Sequence, residues 1–165
     1  EEYFADLKKM GVPFLPYETY GRSPLENSSF LVSSANFNEK IHGKGFVARL
    51  SGSTAEFLQM WELMMNGEKL FTMQDGTLTF KLAPAIPAYL VKDDGKVETT
   101  LFGKIKVVYD CGSKRDLIPG QYAVTKYELV AADGSIESCE AATVSGEAAQ
   151  RIRDGKAAEI RVTIQ

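Results

Sequence analysis

Hydrophobic and polar positions change their rhythm along the chain, and the change divides it near residue 76. The opening run EEYFADLKKMG reads as the end of a helix, with Lys8 and Lys9 near its C-terminus and Gly11 able to stop it. The chain is therefore expected to start inside a larger protein. Residues 12 to 52 are rich in Gly, Ser, Asn and Pro and hold no sustained period, the pattern of long ordered loops that carry function. Ser53-Thr54-Ala55-Glu56 is a capping box, in which hydroxyl and carboxylate reciprocally satisfy backbone N–H groups, so a helix is predicted to begin at Ser53. It runs through Phe57, Leu58, Met60, Trp61, Leu63, Met64 and Met65 to a stop at Gly67. Those apolar positions cover most of its circumference, which predicts burial on several sides.

From residue 76 onward the period becomes two. Leu78, Phe80 and Leu82 alternate with polar neighbours, as do Ile105, Val107 and Tyr109, and later Ile160, Val162 and Ile164, which predicts half-buried strands. Asp75-Gly76, Asp94-Gly95 and Asp133-Gly134 supply the residues of tight hairpin turns. Pro84 and Pro87 each lack a ladder donor, so LAPAIPAYL is expected to be a kinked edge or crossover. A short helix over 146–153 should precede the last strand. The fold class expected is α+β: a helical and loop segment over 1–75, then an antiparallel β-sandwich over 76–165.

Composition narrows this picture mainly by exclusion. The 165 residues are 44% hydrophobic and 25% charged, a single globular size that buries roughly 70% of its unfolded surface without staples. Lys and Arg number 19 against 22 Asp and Glu, a net charge of −3 with no basic stripe, so no nucleic-acid partner is expected. No apolar run approaches the roughly 18 residues of a membrane span, and Glu1-Glu2-Tyr3-Phe4 does not read as a signal peptide. Cys111, Cys139 and the sole His42 fit no zinc-binding spacing, so no metal is expected. Two cysteines in a chain of this size suit a reducing compartment, and a cytoplasmic location is expected.

Two clusters carry candidate chemistry. The first approaches the predicted helix, His42-Gly43-Lys44-Gly45-Phe46-Val47-Ala48-Arg49-Leu50-Ser51-Gly52-Ser53. A helix start combines free N–H groups with the positive end of the macrodipole, and both favour an anion such as phosphate. Gly52 lets the anion approach the backbone, Ser51 and Ser53 add hydroxyls, Arg49 or Lys44 adds charge, and His42 can hold an anion or share a proton. An ordinary capped helix accounts for the same serines, and packing beside two glycines accounts for His42. The second cluster is Tyr20-Gly21-Arg22-Ser23-Pro24-Leu25-Glu26-Asn27-Ser28-Ser29-Phe30. Arg22, Glu26, Asn27 and Ser28 are the bidentate and small polar groups that match vicinal sugar hydroxyls, although a turn and helix cap explain Ser23 to Glu26 equally well. Tyr17, Tyr20, Trp61, Tyr89, Tyr109, Tyr122 and Tyr127 are candidates to stack on sugar rings, with core the stronger reading for Trp61 and Tyr109. No hydrolase triad order, P-loop or GxGxxG run is present.

The run YETYGRSPLENSSFLVSSAN, followed by IHGKGFVARLSGSTAEFLQMW, resembles the C-terminal part of large carbohydrate-active enzymes related to cellobiose phosphorylase. The likeness extends more weakly into the later strands. It implies that 1–75 is the end of an (α/α)6 barrel performing inverting phosphorolysis of β-glucosides, and that 76–165 is the small sandwich behind it. The family's phosphate-holding Thr-Gly pair corresponds to Ser51-Gly52, with Ser53 next. Its Glu-Asn-Gly-Gly stretch, which lines the sugar and phosphate subsites, is similar to Glu26-Asn27-Ser28-Ser29. Ser33 stands where that motif carries a phosphate-binding histidine, and the segment between the motifs is shorter here. The family's general-acid aspartate lies upstream of these residues, so no catalytic residue is assigned.

The resemblance implies a fragment of a phosphorylase-like enzyme whose co-substrate is inorganic phosphate and which needs no cofactor. Phosphate would attack the anomeric carbon while the upstream acid protonates the leaving oxygen. In a hydrolase relative a carboxylate would activate water instead, and Glu26 is the one considered for that role. The partners implied are an oligosaccharide or disaccharide and the upstream barrel of the same protein. The rival reading is a non-catalytic carbohydrate-binding or domain-docking β-sandwich module; a scaffold that has lost activity is a third.

Overall fold

The computed structural model describes residues 2–10, 18, 30–31, 34–42, 45–46 and 51–165. The fold is α+β, with helices and two principal sheets of mostly antiparallel strands. The chain divides into two compact units, Glu1–Gln59 and Met60–Gln165.

In the first unit α1 spans Glu2–Met10, where the sequence predicts a helix, and buries Phe4 and Leu7, three residues apart on one face. Two short strands follow, β1 (Phe30–Leu31) and β2 (Gly45–Phe46), paired antiparallel with Phe30 opposite Phe46 and Leu31 opposite Gly45. Helix α2, Ser51–Asn66, leads from this unit into the second. It begins two residues earlier than the capping box predicts. Ser53 is thus its third residue, inside the first turn and past the half-helical position a cap occupies, because Ser51 and Gly52 extend the helix towards the N-terminus. The expectation of burial on several sides also needs correction. Met64 and Met65 are buried, but Leu58 and Leu63 are 58% and 44% exposed.

Gly67 ends α2 at φ +95°, where its N–H bonds the Leu63 carbonyl at 2.8 Å. The last carbonyls of the helix are taken up by tertiary donors: Met64 O by Ala85 N (2.7 Å), Asn66 O by Ala83 N (3.0 Å) and Met65 O by the Tyr109 hydroxyl (2.7 Å). The crossover expected around Pro84 and Pro87 is therefore a clamp on the helix end. Tyr127 accepts from Leu82 N at 3.0 Å, and Tyr122 donates to Pro84 O at 2.6 Å. Ile86 contributes only an isolated bridge to Leu117.

Strands β3 (Phe71–Gln74) and β4 (Thr77–Phe80) form a hairpin through Asp75-Gly76, both at positive φ. The remaining strands are β5 (Lys96–Leu101), β6 (Ile105–Asp110), β7 (Val124–Val130), β8 (Ile136–Cys139), β9 (Val144–Ser145) and β10 (Glu159–Ile164). One sheet has the order β3-β4-β9 and the other β5-β6-β10-β7-β8. The period-two pattern holds well: Ile105, Val107, Tyr109, Ile160, Val162 and Ile164 are all buried. Phe80 of the smaller sheet meets Tyr127 of the larger edge-on, with ring centroids 6.1 Å apart.

Two expectations differ from the observed sheet. It is mixed rather than wholly antiparallel, since β10 runs parallel to β6, reached through α3 (Gly146–Arg153), whose Ala149 and Ile152 are buried. Asp94-Gly95 does not join two strands; it closes a turn from Lys92 to Lys96 that leads into β5. The β5–β6 hairpin turns instead at Phe102-Gly103, at φ +53° and +68°. An aromatic residue in the left-handed region gives no sequence signal for such a turn.

The outer face of the five-stranded sheet is a chain of alternating charges. Lys92, Glu98, Lys106, Glu159, Arg161, Glu128, Lys126 and Glu140 follow one another at 2.6 to 4.0 Å. Their partners hold the Glu98 carboxyl below its ordinary range, chiefly through its bond to Lys92, and raise Lys126 and Arg161.

Candidate functional site

The anion cradle argued from sequence rests on the opening of α2, and the structure puts Ser51, Gly52 and Ser53 together in its first turn. Amides there have no carbonyl of their own helix to bond, and they sit at the positive end of a sixteen-residue dipole. Glu56, one turn on, is exposed. Arg49 lies outside the described residues, as do Arg22, Glu26, Asn27 and Ser28 of the sugar-matching cluster.

The β1–β2 ladder nevertheless relates the two clusters. Phe30, which directly follows Asn27-Ser28-Ser29, lies opposite Phe46, which directly precedes Val47-Ala48-Arg49. Phe30 is the last residue of the second cluster and Phe46 belongs to the first, so the pairing links the two clusters across 16 positions of sequence.

His42 occupies a third place in this unit. It terminates a 3-10 turn over Glu39–Ile41, is half-buried, and its N–H bonds the Glu39 carbonyl at 3.2 Å. Its Nε2 lies 2.7 Å from the Asn36 carbonyl oxygen. A carbonyl only accepts, so Nε2 carries the proton and donates, and Nδ1 is the acceptor of the neutral ring. An anion at Nδ1 would require the doubly protonated ring. The bond to Asn36 gives His42 a loop-fastening role that sequence reasoning did not identify. Asn36 and Asn38 complete the loop, Asn36 Oδ1 accepting from Asn38 N at 2.9 Å and Asn38 Oδ1 from Lys40 N at 3.2 Å. The signal was present in the alternation Asn36-Phe37-Asn38, whose short amides favour such turns.

Among the candidate stacking aromatics, Tyr109 and Tyr127 are fully buried and Trp61 is half-buried. Burial pushes the Tyr109 phenol well above its ordinary range and Tyr127 to about 12. Tyr122 is likewise raised by burial and is bonded to Pro84. These hydroxyls serve the clamp around 82–85 and the end of α2. Tyr89 is exposed, and Tyr17 and Tyr20 lie outside the described residues.

Cys111 and Cys139 are both free, and burial raises the Cys111 thiol to about 11, so it is inert at neutral pH. Among the described residues, no group of three or more His, Cys, Asp or Glu side chains could hold a metal ion, and no helix is long and apolar enough to cross a membrane. Comparison with family models, curated proteins and solved structures returns no match.

Proposed function

We propose that this chain is the C-terminal part of a cytoplasmic carbohydrate phosphorylase-like enzyme acting on β-glucosides, in which it supplies one wall of the phosphate and sugar site. The observation that carries the reading is the Phe30–Phe46 pairing of the β1–β2 ladder, which ties the last residue of the second sequence cluster to a residue of the first. In this reading the first-turn amides of α2 hold phosphate, helped by Arg49 and by the doubly protonated form of His42, while Arg22, Glu26, Asn27 and Ser28 bind sugar hydroxyls. Helix α1 closes an upstream barrel that provides the general acid. In this reading the two sheets form the supporting sandwich.

The rival reading, a carbohydrate-binding module that stacks sugar on strand tyrosines, draws less support, because Tyr109 and Tyr127 are buried and Tyr122 is bonded internally. Assaying the chain joined to the upstream barrel separates the two. The proposal expects release of an α-configured sugar 1-phosphate from a β-glucoside only when phosphate is present, with the KM for phosphate raised by Gly52→Val. Phosphate-independent hydrolysis, or no turnover with glucan binding that survives Arg22→Ala and Glu26→Gln, contradicts it.

A further inference from the structure

We propose that the outer edge of β3 is a self-pairing surface, through which two copies of this chain join their three-stranded sheets antiparallel about a two-fold axis at Thr72. In the order β3-β4-β9, β3 is an edge, and Thr72, Met73 and Gln74 are exposed, Met73 by 63%. Edge strands are ordinarily protected by charge. The edge strand β5 of the larger sheet carries Lys96 and Glu98, and the edge strand β8 carries Glu137 paired with Arg151. The sequence of β3, Phe-Thr-Met-Gln, has no charge.

The backbone fixes which groups face outward. Lys81 N bonds Leu70 O at 2.9 Å, and the register continues through Thr72–Thr79 to Gln74–Thr77 at the two-residue turn. Hydrogen-bonded pairs alternate along an antiparallel ladder, so Leu70, Thr72 and Gln74 bond β4, while Phe71 and Met73 direct N–H and C=O to the open edge. A two-fold axis at Thr72 sets Phe71 against Met73 of the second copy, and Met73 against its Phe71, which pairs all these outward groups in four N–H···O bonds.

The flanking side chains select this register. The axis at Thr72 sets Lys69 opposite Asp75 of the second copy at both ends. Moving it to Phe71 sets Met73 against Lys69, and moving it to Met73 sets Phe71 against Asp75, so only the central position matches both charge and apolarity. It also gives the exposed Met73 thioether an aromatic surface, since Phe71 stacks on exposed Phe102 with centroids 6.2 Å apart and planes at 16°. A four-residue strand makes a small contact, so the dimer is weak and concentration-dependent.

Sedimentation velocity of the 165-residue chain from about 1 µM to about 1 mM tests this. The expected result is a reversible monomer–dimer equilibrium whose dissociation constant rises at least about tenfold in Met73→Lys, with the circular dichroism spectrum unchanged, and is preserved in Met73→Leu. Lys69→Glu should weaken the dimer a few-fold by opposing Asp75, and adding Asp75→Asn to the same chain should recover part of that loss. A monomer throughout the range, a dimer indifferent to Met73→Lys, or no effect of Lys69→Glu would overturn the proposal.

Discussion

Replacing Tyr109 by Phe removes one oxygen atom from the centre of the second unit and is expected to destabilise it out of proportion to that change. The Tyr109 hydroxyl donates to Met65 O at 2.7 Å, and both residues are almost wholly excluded from solvent. Met65 is the penultimate residue of α2, so its carbonyl has no donor within the helix. Removing the hydroxyl leaves that buried oxygen unpaired, a cost of about 2 kcal/mol, with little added for lost volume. At the size of this unit, about 2 kcal/mol corresponds to a fall in Tm of roughly 8 °C. Urea denaturation followed by circular dichroism should show a lower midpoint with an unchanged slope. Tyr122→Phe is the control: its hydroxyl also donates to a carbonyl, but from a half-buried position where water can replace it, so a loss under about 1 kcal/mol is expected. A shift in Tyr109→Phe below about 0.5 kcal/mol, or one no larger than in Tyr122→Phe, would refute the reasoning.

Three further outcomes follow from the same packing. Gly67→Ala places a Cβ 3.1 Å from Ala83 at a backbone φ of +95°, and should cost at least about 1–2 kcal/mol in a denaturant titration. Alkaline pH should unfold the chain: Cys111 is raised from 9.0 to about 11 and Tyr127 from 10.0 to about 12, so the folded state holds these protons more tightly than the unfolded one. Stability is then full below pH 9 and falls as pH rises through about 12, which urea midpoints and tyrosinate absorbance should report together. The charged chain across the five-stranded sheet is solvent-exposed, so Arg161→Ala should cost less than about 1 kcal/mol, and 1 M NaCl should narrow the difference from the unsubstituted chain.

The strand region was legible wherever one face is buried and the other wet. Ile105-Val107-Tyr109 and Ile160-Val162-Ile164 announce themselves because burial alternates with every residue, and Gly146–Arg153 was readable from its helical composition between strand signals. Direction was not legible, since a side-chain period of two is the same in parallel and antiparallel pairing, and the β6–β10 contact depends on residues about fifty apart. The clamp on α2 was also hidden: Tyr109 reads as an apolar strand residue, and only the tertiary fold shows that its hydroxyl serves a helix carbonyl. In the candidate site, the Ser51-Gly52-Ser53 turn could be read because helix starts follow local rules, within two residues. The Asn36 bond to His42 and the Phe30–Phe46 pairing could not, since neither loop closure nor short-ladder register leaves a periodic trace.

Whether the opening turn of α2 binds an anion is tested most directly by titrating phosphate into the isotopically labelled chain and following its backbone amides. The account predicts saturating shifts centred on Ser51, Gly52 and Ser53, with smaller ones at His42, all lost in Gly52→Val while the rest of the spectrum is kept. Amides that do not move at millimolar phosphate, or shifts that persist unchanged in Gly52→Val, would contradict it.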